Sequence, residues 1–199
     1  MEASSFAGTA HDESQIQPAL ADDERLALGA RSNPTAFATL YGRHRESVFR
    51  YLRARSTNDD DALDLTAVTF ERALIALPKY RSIGAGFAAW LLRIARNAAV
   101  DHGRRQRARP APAALVEAES QPADDDPEAA AMASDEHRRL RALVRALPEP
   151  QRDALALRYS VGLTARQIGA VIGKSEEATQ KLLTRALSEL KEAYGHEQR

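Results

Sequence analysis

The sequence predicts an all-α protein: two small helical domains joined by a flexible acidic linker. Ala, Leu, Arg and Glu dominate the chain, which favours helix over strand. Apolar residues recur at helical spacing between Pro and Gly breaks, and nowhere does the chain alternate apolar with polar as a half-buried strand does. The length of 199 residues, 44% of them apolar, suits one ordinary domain or two small ones.

Charge is arranged in blocks, although the formal net charge is zero. Residues 1–30 hold 1 basic and 6 acidic side chains, and residues 31–109 hold 15 and 7. Residues 110–135 hold 0 and 7, and residues 136–199 hold 12 and 8. Two basic blocks separated by acidic segments suggest polyanion-binding modules on a solvated tether. With no cysteine, disulfides, thiolate zinc sites and cysteine nucleophiles are excluded. The five histidines show no metal-ligand spacing, and no metal or cofactor is expected. The acidic N-terminus does not read as a secretory signal, and no apolar run is long enough to span a membrane, so no membrane insertion and a cytoplasmic location are expected.

The elements follow in order. Residues 1–30 read as a largely disordered polar tail, with a weak helix from Asp22 to Ala30. The first domain spans 31–109. Asn33 and Pro34 open its first helix as N-cap and first helical residue. Phe37, Leu40, Tyr41, Val48, Phe49 and Leu52 give that helix its apolar face, and Ser56-Thr57-Asn58 breaks it. Asp59, Asp60 and Asp61 start the next helix, where carboxylates suit the dipole. Leu65, Val68, Phe70, Ala73, Leu74 and Leu77 continue it, and Pro78 ends it. A loop over 79–86 precedes a long helix from Phe87 to about Arg107.

On that long helix, Leu91, Ile94, Ala95 and Ala98 share one face at 100° per residue. Arg93, Arg96, Arg104 and Arg107 lie nearly opposite, beside Asn97 and Val100. Guanidinium forks match phosphate oxygens, and few carboxylates stand at i,i+4 to neutralise these arginines. Trp90 sits at the boundary of the two faces. With Tyr80 and Phe87 it either stacks on unpaired bases or packs in the core.

Residues 110–134, rich in Pro, Ala and acid, read as the linker. The second domain spans 135–199, with helices expected near 135, then over about 151–159, 164–172 and 175–194. Thr164 and Gln167 form a capping box, Ile168, Val171 and Ile172 face inward, and Gly173 supplies a turn. Ser175 caps the last helix, whose core stripe is Leu182, Leu183, Ala186 and Leu190. Two short helices across a Gly turn are the DNA-binding helix-turn-helix pattern. The outward candidates are Ser175, Glu176, Glu177, Thr179, Gln180, Lys181, Thr184 and Arg185. Thr and Gln suit base edges, and Lys and Arg suit phosphates.

Both halves resemble one family. Trp90, Leu91, Ile94, Ala95, Arg96, Asn97, Asp101 and Arg104 fit the W-L-x-x-I-A-R-N-x-x-x-D-x-x-R pattern of the region-two domain of extracytoplasmic-function sigma factors. The stretch LPEPQRDALALRYSVGLTARQIGAVIGKSEEATQKLLTRALSEL resembles their region-four domain. The resemblance covers about 160 residues. It implies a non-enzymatic initiation factor with core RNA polymerase, promoter DNA and an anti-sigma protein as partners. Asp61, Asp64, Leu65 and Phe70 would meet the polymerase β′ clamp helices, and the second domain the β flap. Tyr80, Arg81, Phe87, Trp90, Arg93, Arg96, Asn97 and Arg104 would hold the minus-ten element as single strand. The helix from Ser175 would read the minus-thirty-five element as duplex, and the acidic linker would thread toward the RNA exit path. Two departures stand out. Asp61-Ala62-Leu63-Asp64-Leu65-Thr66-Ala67 lacks the Glu and Gln of the usual D-A-E-D-L-x-Q, and Leu182 and Leu187 replace basic residues. No further domain is expected after residue 199.

Other classes fit less well. Gly84-Ala85-Gly86-Phe87-Ala88-Ala89 fits G-x-G-x-x-A, but polar Lys79-Tyr80-Arg81-Ser82 precedes it instead of a strand. No hydrolase, zincin or P-loop motif is present. The remaining alternative is a stand-alone helix-turn-helix regulator, which would need neither the Trp-Arg helix nor the acidic clamp-binding helix.

Overall fold

The computed structural model describes residues 22–56, 58–81, 84–108 and 127–196. The expectations for residues 1–21 and for the linker over 109–126 fall outside them. The described residues form helices and turns without a strand.

Helix α1, over 22–29, is the helix anticipated from Asp22, and it is docked rather than loose. Arg43 Nη1 donates to Asp22 Oδ2 at 2.6 Å and to Asp23 Oδ1 at 2.8 Å, and His44 Nε2 lies 2.7 Å from Asp23 Oδ2. Arg31 Nη2 also donates to the Tyr80 carbonyl at 2.6 Å. Packing of the first domain thus starts before residue 31.

Helix α2, Pro34–Arg55, begins where Asn33 accepts from the Thr35 amide and ends at Ser56. Helix α3, Asp59–Ala76, is capped by Asn58, with Asp59, Asp60 and Asp61 in its first turn. Pro78 does not stop the chain at once, because a 3₁₀ turn over Leu77–Lys79 carries it onward. Helix α4, Gly86–Ala108, runs back across α2 and α3. Leu40, Val48, Leu52, Ala73, Leu91 and Ala95 interlock at the centre of these three helices. Burying each such leucine contributes about 1.5–3 kcal/mol.

Helix α5 covers Pro127–Ala146 and so begins eight residues before the Asp135 anticipated from sequence. Pro127 suits the first helical position, and the following Glu-Ala-Ala-Ala run has high helix propensity. Helix α6, Glu149–Leu155, runs into a π-helical turn over Ala156–Val161 that closes at Gly162, φ 86°. Helices α7, Ala165–Ile172, and α8, Glu176–His196, complete the second domain.

The two domains share a core. Leu157, Leu163, Ile168 and Val171 are continuous with the buried residues of α2 and α4. The π turn packs on α2, and α7 packs on α4.

Candidate nucleic-acid interface

The helix-turn-helix is built from local constraints. Thr164 accepts from the Gln167 amide while Gln167 Oε1 accepts from the Thr164 amide at 3.0 Å, so α7 starts on a complete capping box. Gly173 takes a left-handed φ of 73°, a conformation that favours glycine. Gly169 is required for a different reason: a Cβ there would lie 2.5 Å from the Lys174 carbonyl oxygen. The backbone of the turn rests directly on α7.

Ser175 Oγ accepts from the Ala178 amide and caps α8. Ser175, Glu176, Glu177, Gln180, Lys181, Thr184 and Arg185 are exposed. Thr179 departs from the sequence reading. It is fully buried against α7, and its hydroxyl donates to the Ser175 carbonyl at 2.9 Å. Buried and with its hydroxyl satisfied, it supports the start of α8 and is not positioned to read a base. Lys181 pairs with Glu177 at 2.6 Å, but both side chains are largely exposed, and such pairs contribute little.

The arginine face of α4 divides. Arg93, Asn97 and Arg104 are exposed, as is Arg81 before the helix. Arg93 and Arg104 have no ion pair among the described residues. Arg96 turns into the junction of the domains: its Nε donates to Asp153 Oδ2 at 2.7 Å, and its Nη2 lies 3.9 Å from Glu149 Oε1. Burial works against its charge, yet the Asp153 hydrogen bond and charge outweigh it and hold the guanidinium more firmly protonated. A cleft of about 470 Å³ opens there, lined by Arg72, Arg96, Asn97, Val100, Asp101, Arg104 and Glu149.

Tyr80, Phe87 and Trp90 occupy the core, the second of the two readings open from sequence. Tyr80 meets Trp90 edge-on at 5.0 Å and Phe87 at 5.7 Å, and Phe87 lies 5.4 Å from Trp90. All three rings are buried, packed edge-on or tilted against one another, so stacking on a base would require unpacking the start of α4. Burial pushes the Tyr80 phenol up to about 12.

On α3, Asp64 is exposed and Asp61 half-buried, its amide donating to Asn58 Oδ1 at 2.7 Å. Leu65 and Phe70 face inward, where Tyr41 packs on Phe70 at 4.6 Å, so their side chains are not offered to a partner. Leu74, one of the apolar residues through which α3 continues, is 50% exposed, beside Ile75 at 73% and on the same helix as Leu63 at 56%. At 100° per residue Leu63 and Leu74 share one side of α3, and Ile75 lies about 120° round the helix from Leu63.

Tyr51, Arg55 and Asp153 were also missed. They meet across the domain junction, 102 residues apart for Tyr51 and Asp153. Only the isolated carboxylate within the apolar run after Arg152 hints at it.

Residues 40–109 match the Sigma-70 region 2 family, and residues 137–190 match Sigma-70, region 4. The ECF RNA polymerase sigma factor ShbA of Streptomyces griseus is 32% identical over 184 residues, covering 85% of this chain and 96% of ShbA. The ECF RNA polymerase sigma factor BldN of Streptomyces coelicolor is 33% identical over 155 residues, covering 78% of this chain, and the match spans 59% of BldN's length. Among solved structures, CnrH in complex with the cytosolic domain of CnrY superposes with a TM-score of 0.67 at 25% identity, covering 88% of this chain and 98% of CnrH.

Proposed function

This chain belongs to the extracytoplasmic-function sigma factors of bacterial RNA polymerase, and we propose that it binds the core enzyme, recognises promoter DNA and initiates transcription, catalysing nothing itself. The observation that carries this reading is the pairing, in one chain, of two helices with different nucleic-acid chemistry. Helix α8 presents Gln180, Lys181, Thr184 and Arg185 from behind a capped helix-turn-helix, suited to the major groove of the minus-thirty-five duplex. Helix α4 presents Arg93, Asn97 and Arg104, suited to the strand of an opened minus-ten element. Arg81, shortly before α4, adds a further exposed cation, while Arg96 is held by Asp153 at the domain junction. Exposed Asp64 and half-buried Asp61, with exposed Leu63 and Leu74 on the same helix, make α3 the surface for the polymerase clamp. An anti-sigma protein is the expected negative regulator. The protein's place of work is the cytoplasm, with polymerase and DNA.

A stand-alone regulator would use α8 without α4. The experiment that separates the two is co-purification with bacterial core polymerase followed by footprinting of the assembled complex on a promoter it transcribes. Gln180→Ala with Arg185→Ala should weaken the upstream contact by about 1–3 kcal/mol if a base-edge pair is lost. An unchanged upstream footprint would remove the recognition role of α8.

A further inference from the structure

A second cleft, of about 690 Å³, lies between the end of α2, the second half of α5 and the π turn. None of the residues assigned to DNA or polymerase lines it. Arg50, Arg53, Arg55, Arg141, Arg145 and Arg152 line it, and no carboxylate does. Basic last turns suit the dipoles of α2 and α5, which accounts for Arg53, Arg55 and Arg145. The dipoles do not account for bringing both helix ends to one cleft and adding Arg50, Arg141 and Arg152, because gathered like charges repel. Asp59 pairs with Arg53, Asp153 Oδ1 lies 3.0 Å from Arg55 Nε, and Arg152 Nη1 donates to the Arg145 carbonyl at 2.9 Å, so these guanidiniums are held in place. Arg50 and Arg141 are held more loosely. Arg50 Nε is 3.8 Å from Glu46 with both side chains more than half exposed, and Arg141 has no ion pair among the described residues.

The π turn supplies the rest of the recognition. Such turns occur mostly as interruptions of helices at functional positions, and this one brings Tyr159 and Ser160 to the cleft, Tyr159 at 66% exposure. Leu140 and Val144 of α5 extend the apolar wall, and Ser56 adds a second hydroxyl. Cations beside a ring with aliphatic neighbours suit an anion that carries a flat apolar body. We propose that the cleft binds a nucleoside triphosphate, with its phosphates on Arg50, Arg141 and Arg145 and its base on the Tyr159 ring. Guanidinium forks match phosphate oxygens, two hydrogen bonds at a time. The size is right, since small-ligand sites commonly enclose about 300–1,000 Å³. With no carboxylate in the lining to hold a metal or activate water, the nucleotide is bound and not hydrolysed. The site lies apart from the promoter-reading surfaces and does not depend on that reading.

The test is isothermal titration calorimetry of the full-length protein at about 0.15 M salt, where weak surface attraction is screened. The probes are ATP, inorganic tripolyphosphate and adenosine. ATP should bind most tightly and adenosine least. Arg50→Gln with Arg141→Gln should weaken ATP about a hundredfold, since each hydrogen bond to a charged group is worth about tenfold or more. Both side chains are exposed and make at most a surface pair, so the fold is kept and far-ultraviolet circular dichroism should be unchanged. Tyr159→Ala should weaken ATP about tenfold and leave tripolyphosphate unchanged, as the loss of base stacking alone requires. Arg93→Gln with Arg104→Gln is the control and should leave ATP binding as it was. ATP binding lost in that control and kept in the cleft variants would place the anion on the α4 surface and overturn the site. No heat of binding with ATP at millimolar concentration would also overturn it. Tripolyphosphate that binds as tightly as ATP, with no effect of Tyr159→Ala on either, would overturn the nucleoside and the proposal with it.

Discussion

At the scale of single residues, the aromatic trio shows how one pattern supports two roles until burial decides. Trp90 has the spacing of a base-stacking residue, but Tyr80 and Phe87 close over it. Trp90→Ala should therefore cost about 3–5 kcal/mol of stability, measured by urea unfolding, as expected for a large core truncation. A loss under about 1 kcal/mol would mean that the ring is not in the core. Gly169→Ala should destabilise by about 1–3 kcal/mol, because its Cβ would meet the Lys174 carbonyl, backbone that has little room to give. Gly29→Ala is the control, its nearest neighbour being the Ala36 methyl at 4.0 Å. The exposure of Arg93, Gln180 and Arg185 was legible in sequence because a helical wheel fixes which side chains share a face. Thr179, Leu65 and Phe70 were assigned to contacts, and the structure buries them. The wheel gives direction around a helix but not how much of the circumference a neighbouring element covers.

At the scale of elements, the chain announces its helix starts. Asn33-Pro34, Asn58 before three aspartates and Thr164 with Gln167 each satisfy orphan amides with a side chain, and all appear where anticipated. Helix α5 starts early because its first turns are marked by propensity alone, inside a stretch that composition reads as linker. The π turn after α6 carries no period of its own and was read as plain helix. Helix α1 tests the value of a polar anchor. Burial alone would raise the Asp23 pKa, but hydrogen bonds from His44 and Arg43 outweigh it and hold the carboxyl below its ordinary 3.8. Since the folded pKa is depressed, the anchor contributes fully above pH 3.8 and is lost as pH falls through the lower folded value. Amide exchange in residues 24–29 should accelerate below about pH 4 before the rest of the domain opens, and Asp23→Asn should show that acceleration already at neutral pH. Equal protection of α1 in Asp23→Asn would show that apolar contacts alone hold it. On α4, replacing Arg93 and Arg104 with Gln should lower the salt slope of single-strand binding by about 0.7 per phosphate contact removed. An unchanged slope would place both arginines outside the DNA path.

At the scale of the whole molecule, the sequence indicated two helical domains from its two periodic blocks and the acidic stretch between them. It did not indicate how they pack. The shared core of Leu157, Ile168 and Val171 with α2 and α4, and the meeting of Tyr51 with Asp153, join residues about a hundred positions apart. Local periodicity holds no record of such pairs. The packing leaves Arg93, Asn97 and Arg104 in solvent and holds Arg96 at the domain junction. The central claim, that the chain directs polymerase to promoters, is tested most directly by run-off transcription with bacterial core polymerase, with and without the protein, on DNA from its own source. Discrete transcripts that appear only with the protein, and that fade when Gln180 and Arg185 are replaced by Ala, are the predicted result. Core polymerase that neither binds the protein nor gains a start site from it would contradict the account.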